Sequence, residues 1–421
     1  MFVERVSSTQ VDGGNARLAV SVVMPCLNEV ISLPHCIASA QQALRLIEAR
    51  HGLAGEIVIA DNGSTDGSQE VATRLGARVV RVERRGYGAA IIGGANAALG
   101  EYLLIGDADG SYDFTDGVAM IGQLIAGADL AIGSRFTGSI AEGAMPWKNR
   151  YVGNPLLTGM LNLLFRSGIT DAHCGLRAMT RASFHGLRLN GDGMEFASEM
   201  VVKASLGKLR IVESPATLSP DLRERAPHLR PWRDGWRHLR YLLMLSPTWL
   251  FGVPAIAAMG SAGIVLIVAL AHLLGLGAGA GPFGTGWTLV AGFLLTVGHL
   301  AGIMAAATHL HGVGQGYRSM SPTLRRHGAL LTLETFLMAG GVLVLTSTAG
   351  LAAIAVGWSR GGFAALDSTL PLVLASVSGA VGLQTIIGGF LLSIISGHEA
   401  RFVAATREPT IETALREWVT K

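Results

Sequence analysis

The stretch EYLLIGDAD, residues 101–109, decides the fold of the first half of this 421-residue chain. It is a short apolar run ending in a glycine and two aspartates. Continuous apolar runs of this length read as buried strands, and open α/β sheets bind their ligands at the carboxyl ends of such strands. Upstream, LAVSVVMP (18–25), EIVIADN (56–62) and ARVVRV (77–82) repeat the pattern, and DLAIGSR (129–135) repeats it downstream. Residues 29–50 and 66–75 lie between strands and read as helices. The alternation predicts an α/β domain with a mostly parallel sheet covered on both faces.

Three strand ends carry the chemistry. The first is Pro25-Cys26-Leu27-Asn28-Glu29, the second Asp61-Asn62-Gly63-Ser64-Thr65-Asp66, and the fourth Asp107-Ala108-Asp109. Far apart in sequence, they converge on one edge of such a sheet. Two carboxylates one residue apart suit Mg2+ or Mn2+, which complete their shells with substrate phosphates. A metal there would neutralise a diphosphate leaving group. An isolated Asp-x-Asp is as readily a solvated turn; its place after strand four, with Asp61 after strand two, favours the metal. Asp61 suits a nucleotide base or ribose, and Asp66 is the better helix cap. The segment RRGYGAA (84–90), with Gly86 and Gly88, opens a helix. Its small residues fit either an anion at the helix N-terminus or a tight turn.

After Trp249 the solvent changes. Four apolar segments, roughly 250–274, 287–311, 329–356 and 370–396, each exceed the ~20 residues that cross a hydrocarbon core. Three carry no Asp, Glu, Lys or Arg, and the third in order has only Glu334. The 312–328 loop holds Arg318, Arg325 and Arg326, and the tail holds Arg401, Arg407, Arg416 and Lys421. The 275–286 loop is uncharged. The positive-inside rule then puts the basic loop, both termini and the N-terminal domain on the cytoplasmic side of a cell (inner) membrane. Between the halves, PWRDGWRHLRYLLMLSPTWL reads as an amphipathic interfacial helix. Trp232, Trp236, Leu239 and Leu243 share one face, and Arg233, Arg237 and Arg240 another. His272, His299, His309 and Glu334 are ionisable candidates in the spans, and all but His299 lie near segment ends. That pattern does not describe a charged transport pathway.

Composition agrees. Half of the residues are hydrophobic and only 15% are charged, against roughly 25% in soluble domains. A net charge of +3 is too small to argue for nucleic acid. Cys26, Cys36 and Cys174 match no zinc spacing and read as reduced thiols. Residues 1–17 are polar, carry no signal peptide pattern, and read as a disordered leader. The expected organisation is a catalytic domain at 18–220, a juxtamembrane region at 221–249, a four-helix membrane region at 250–396 and a tail at 397–421.

SVVMPCLNE, IADNGSTDG, GDADGSYDF and GSR, in this order, resemble family 2 glycosyltransferases of the GT-A fold. TDAHCGLRAMTR (170–181) and GMEFASEM (193–200) look like the polyprenyl-phosphate (dolichyl-phosphate) hexose synthase branch, and the similarity covers about 18–220. The resemblance implies a nucleotide pocket at Pro25, Leu27, Glu29 and Asp61. It implies a metal site at Asp107 and Asp109, with Ala108 near the ribose. Arg135 matches an arginine near the transferred sugar and the phosphates, and Arg150 a basic residue that meets the acceptor phosphate. Arg177 is either a third anion contact or the partner of Asp171. Dolichyl-phosphate mannose synthases usually carry a glutamine two places after the second metal aspartate. Here that place is Ser111, which leaves Asp113 as the expected third ligand. The Q-x-x-R-W motif of processive polysaccharide synthases is absent.

The expected reaction moves a hexose from a nucleotide-sugar, UDP-glucose first and GDP-mannose next, to a polyprenyl phosphate. With a second pKa near ~6, a phosphate monoester is largely dianionic at neutral pH and needs little general base. Arg135, Arg150 and Arg177 would hold its charge during one inverting displacement. A hydroxyl acceptor would require a base. Glu199 is then the candidate, unless it merely pairs with Lys203 one helical turn on. An inactive nucleotide-sugar-binding membrane scaffold is the rival from another class, opposed by the intact Asp107, Asp109 and Arg135. A homo-oligomer is compatible with all three.

Overall fold

The computed structural model describes residues 18–223, 231–276, 283–315, 318–366, 368–398 and 400–402. The expected leader and most of the expected tail lie outside the described residues. The chain divides into two compact units, Met1–His238 and Leu239–Lys421.

The first unit is built on a seven-stranded sheet in the order β3-β2-β1-β4-β6-β5-β7. Its strands are β1 Val20–Cys26, β2 Gly55–Asp61, β3 Arg78–Arg81, β4 Tyr102–Ile105, β5 Leu130–Ile140, β6 Arg177–Thr180 and β7 Ile211–Leu218. Only β6 runs antiparallel to its neighbours, so the sheet is mostly parallel as expected. β1 lies inside the sheet and is mostly apolar, with Val20, Val22, Val23 and Met24 without exposed surface. In register, Cys26 lies beside Asp61, and Val23 beside Ile105. That alignment brings the three acidic strand ends to one edge.

The helices of this unit are α1 Leu33–His51, α2 Ser68–Arg74, α3 Tyr87–Ala97, α4 Gly117–Ile125, α5 Asn154–Phe165, α6 Arg181–Gly186 and α7 Phe196–Leu206. α1 shows why the chain turns helical here. A proline sits in its first turn, Leu33, Cys36, Ile37, Ala40, Ala43 and Ile47 recur on one buried face, and Gly52 closes it at φ 68°. α8, Pro231–Met244, is the helix expected before the membrane region. Its buried positions are His238 and Leu242, continued by Leu245, whereas Trp236 is exposed alongside Arg233, Arg237 and Arg240. The expected Trp–Leu face is not covered by protein at Trp236, and the protein-facing side is anchored by His238, whose Nδ1 lies 2.8 Å from the Ser198 hydroxyl of α7. The side chain of Trp232 lies outside the described residues.

In the second unit four helices are long and apolar enough to cross a membrane: Thr248–Leu273, Thr285–Gly314, Leu333–Arg360 and Leu370–Ile395. The first consists of a short π-helical entry followed by α9, Val253–Leu273. The others are α10 Thr285–Gly314, α12 Leu333–Arg360 and α13 Leu370–Ile395, and the short α11 Pro322–Arg326 precedes α12. Spans associate through small residues that let backbones approach, and a side chain at Gly340 of α12 would meet the Gly382 carbonyl of α13 at 2.6 Å. His299 is tied to α13, with Nδ1 3.1 Å from Gln384 Oε1 and Nε2 3.3 Å from Thr385 Oγ1. It serves as polar glue between these two helices.

Candidate active site

The acidic corner forms where β1 and β4 end. Tyr87, the first residue of α3, donates its hydroxyl to Asp107 Oδ1 at 2.8 Å. Asp109 Oδ1 accepts from the Ser111 amide at 3.0 Å and hydroxyl at 2.6 Å. Arg223, beyond β7, bridges two carboxylates: its Nη2 lies 2.9 Å from Asp109 Oδ2 and its Nε 3.0 Å from Glu29 Oε1. The Ser32 hydroxyl, 2.6 Å from the Ala108 carbonyl and 3.2 Å from Glu29 Oε2, ties the β1 loop to the β4 loop. Pro25 and Leu27 are partly exposed beside it.

Burial, and then the negative charge of Asp109, push the Asp107 carboxyl up to about 6. Such a shift marks a buried carboxyl beside a second carboxylate. Glu29, Asp107 and Asp109 gather around Arg223 there. Hard carboxylate oxygens at a strand end fit Mg2+ or Mn2+, which need few protein ligands when substrate phosphates supply the rest. No group of three His, Cys, Asp or Glu is arranged to hold a metal among the described residues. Asp113 does not join the pair. Its side chain caps a 3-10 turn, accepting from Thr115 N at 2.9 Å and from Ser39 Oγ at 3.1 Å. Ser111, where the family glutamine would stand, turns back onto Asp109.

Several expected contacts lie elsewhere. Asp61 has no exposed surface; its Oδ2 accepts from Gly63 N at 3.0 Å and Gln69 Nε2 at 2.7 Å, so it shapes its own loop. Asp66 is structural as expected, taking Ser68 N at 3.0 Å and Val30 N at 3.1 Å. Gly86 and Gly88 favour the tight-turn alternative. The Asp192 carbonyl accepts from the Gly88 and Ala89 amides at 2.8 and 3.2 Å, which closes the N-terminus of α3 to an anion. Gly86 has φ 137°, and a Cβ on either glycine would strike the 191–192 backbone.

The arginines divide. Arg135 lies in β5, and its Nε and Nη2 reach the two oxygens of Asp171 at 2.7 and 2.8 Å. Arg135 therefore holds Asp171, and Arg177 does not. Instead Arg177 donates to the carbonyls of Cys174, Ala172 and Ala197, each at 2.8 Å, and is only 2% exposed. It braces backbone, which leaves it no open side for a third anion contact. Arg150 stands in a π-helical turn before α5, its guanidinium 5.5 Å from the centre of the Tyr151 ring. Glu199, 1% exposed, accepts from Lys203 Nζ at 2.8 Å and from the amides of Asn190 and Gly191 at 3.0 and 2.7 Å. That set of donors matches the pairing alternative, because a base needs a free lone pair facing its substrate.

Tyr87 and Arg223 escaped the sequence reading. Tyr87 sits inside a segment read only for its glycines. Arg223 meets Glu29 across 194 positions, and its segment, DLRER, carries no pattern. A third unforeseen group is His173. It packs edge-on against His238 at 5.0 Å between ring centres, and burial pushes its imidazole down to about 3, so it is neutral.

The model of Glycosyl transferase family 2 matches residues 21–188, and that of the Glycosyltransferase family 2 C-terminal transmembrane region matches 306–396. The chain is 35% identical over 374 residues to the low-salt glycan biosynthesis hexosyltransferase Agl6 of Haloferax volcanii, covering 89% of this chain and 88% of that protein. The chain belongs to glycosyltransferase family 2. This family 2 enzyme is also 26% identical to the dolichol-phosphate mannosyltransferase of Pyrococcus furiosus, over 54% of this chain and 64% of that one. To the dolichyl-phosphate beta-glucosyltransferase of Saccharomyces cerevisiae it is 28% identical, over 47% of this chain and 65% of the other. Its first unit is thus a GT-A domain, and its four apolar helices make it a membrane protein.

Proposed function

We propose that this glycosyltransferase transfers a hexose from a nucleotide-sugar to a polyprenyl phosphate, with inversion, at the cytoplasmic face of a cell membrane. The observation that carries the reading is the acidic corner of Glu29, Asp107 and Asp109, gathered around Arg223 where two parallel strands end. Relatives named for dolichyl-phosphate sugars support the acceptor class. UDP-glucose is the first donor to test and GDP-mannose the next.

Each residue has a definable task. Asp107 and Asp109 would hold a divalent cation, which when bound supplies positive charge to the departing diphosphate. Tyr87 fixes the rotamer of Asp107 through its hydroxyl. Asp171 holds Arg135 through Nε and Nη2, so the guanidinium is oriented before a substrate anion would arrive. Arg150 would meet the acceptor phosphate. With a dianionic oxygen as nucleophile no base is needed, which agrees with a Glu199 saturated by donors. The basic 312–328 loop supports cytoplasmic placement of the catalytic domain.

The test uses full-length protein in detergent with Mn2+, undecaprenyl phosphate and a panel of nucleotide-sugars, followed by mass spectrometry of the lipid. A lipid phosphate heavier by one hexose and labile to mild acid is the expected product. Donor turnover without it would move the reading to a hydroxyl acceptor.

A further inference from the structure

The acidic corner leaves one buried polar cluster unused. His173 lies in the loop between α5 and β6, Ser198 in the first turn of α7, and His238 in α8. The Ser198 hydroxyl is 2.8 Å from His238 Nδ1 and 3.5 Å from His173 Nε2, the latter at the outer limit for a hydrogen bond. The two imidazoles meet edge to face, with 87° between their planes and 5.0 Å between their centres. His173 Nδ1 is buried without a hydrogen-bond partner. With polar contacts this weak and a ring this close, His238 holds the His173 side chain mainly by shape.

The backbone of His173 leads on to Arg135. Its amide donates to Asp171 Oδ1 at 3.3 Å, and the same oxygen accepts from Arg135 Nη2 at 2.8 Å. Arg177 braces the carbonyls on either side of His173, those of Ala172 and Cys174, and also that of Ala197 beside Ser198. Contacts therefore run without a break from His238 through His173 and Asp171 to Arg135. Burial keeps His173 neutral, pushing it down to about 3, so this line transmits position rather than protons.

We propose that His238 is a positioning residue for sugar transfer: packed on His173 and Ser198, it fixes the 171–175 loop so that Asp171 keeps Arg135 directed at the substrate's negative charge. The inference rests on the task given to Arg135 above. Asp171 grips one guanidinium with both oxygens, so a turn of the carboxylate turns the guanidinium with it. A misplacement of about 1 Å caused far from the chemistry costs roughly 10²-fold in rate. His238 belongs to α8, so the seating of that helix on α7 and the alignment of Arg135 become one event.

The test measures steady-state transfer by the full-length protein in detergent, with undecaprenyl phosphate, Mn2+ and the donor that the nucleotide-sugar panel selects. Rates are taken per folded molecule, the folded fraction being read by pulse proteolysis. His238→Ala should lower kcat about 10–100-fold and leave the donor KM within about twofold. His238→Phe keeps an edge-on ring and should hold kcat within about threefold of wild type. Arg135→Lys keeps the charge, loses the fork, and should fall at least as far as His238→Ala. Because His238 acts through Arg135, the double variant should be no slower than Arg135→Lys alone. Losses that multiply in the double variant would overturn the proposal, and so would His238→Phe as slow as His238→Ala. An unchanged kcat in His238→Ala beside an impaired Arg135→Lys would overturn it too, with the task of Arg135 left standing. An unchanged kcat in Arg135→Lys would remove that task and the proposal with it.

Discussion

Replacing Asp171 by asparagine should destabilise the catalytic domain by about 3–5 kcal/mol, the cost of breaking a buried ion pair from one side. The structure supports that range. The pair's side chains are 10% and 0% exposed, and the lost carboxylate also accepts the Arg135 amide at 3.1 Å. With a urea m-value of about 2–3 kcal/mol per molar for a domain of this size, the unfolding midpoint should fall by roughly 1–2 M. Pulse proteolysis of the full-length protein, following the catalytic fragment, reads that midpoint. A double variant, Arg135→Met with Asp171→Leu, removes both charges and should recover most of the loss, because no unpaired charge stays buried. It should still fail to transfer sugar, which separates the fold from the chemistry. Acid supplies a further arm. Burial pushes the Asp171 carboxyl up, but the hydrogen bonds and charge of Arg135 outweigh it and hold it below the usual range. The pair's contribution is therefore full above the unfolded pKa of about 3.9 and is lost as pH falls through the lower folded value. The gap between wild type and Asp171→Asn should close below about pH 4. A midpoint shift under about 0.3 M at neutral pH would refute the reasoning.

Asp109→Asn should abolish transfer while the unfolding midpoint holds. Calorimetry should show Mn2+ affinity falling by more than the roughly 10–100-fold that losing an outer-shell partner costs. Glu199→Gln leaves Lys203 buried beside a neutral amide and should cost about 3 kcal/mol, with specific activity of the folded fraction kept; lost activity at unchanged stability would instead make Glu199 a base. Gly88→Ala drives a methyl into the Gly191 carbonyl and should lower the midpoint by the equivalent of about 1–3 kcal/mol.

The sequence disclosed those parts of the fold whose signal is local. β1, β2 and β4 lie inside the sheet and read as mainly apolar runs, β3 and the first half of β5 follow the same alternation with helices, and the four spans announce themselves by composition. β6 and β7 were not legible. β6 opens with Arg177, whose guanidinium is satisfied by carbonyls of its own loop, so a polar residue fills a core position. β7 is an edge strand carrying Glu213 and Pro215, and an edge tolerates the missing donor. The site follows the same division. Asp107 and Asp109 could be found because a strand end and a two-residue spacing point at them. The partners of Arg177 and Glu199 were named only as alternatives and Asp171 was offered to Arg177 rather than to Arg135, since which carboxylate meets which cation is a matter of packing. In α8, spacing picked out the tryptophan–leucine face for a membrane interface, but the contact of His238 with Ser198 on another face carried no local signal.

The acidic corner joins the two levels. Asp107 and Asp109 come from one strand end, Glu29 from another, and Arg223 from beyond the last strand; they meet only because β1 and β4 are adjacent and in register. Arg223 offsets part of the negative charge of Glu29, Asp107 and Asp109. A divalent cation would add positive charge to the corner before the donor's diphosphate adds its own. Burial sharpens the requirement, since Asp107 is lifted to about 6. Divalent metal should therefore release protons on binding near pH 6, and calorimetry in buffers of different ionisation enthalpy would count them. The number should fall toward zero as pH rises to about 8, where Asp107 is already ionised. Proton release that is absent at pH 6, with Mn2+ still bound, would show that the cation is held elsewhere.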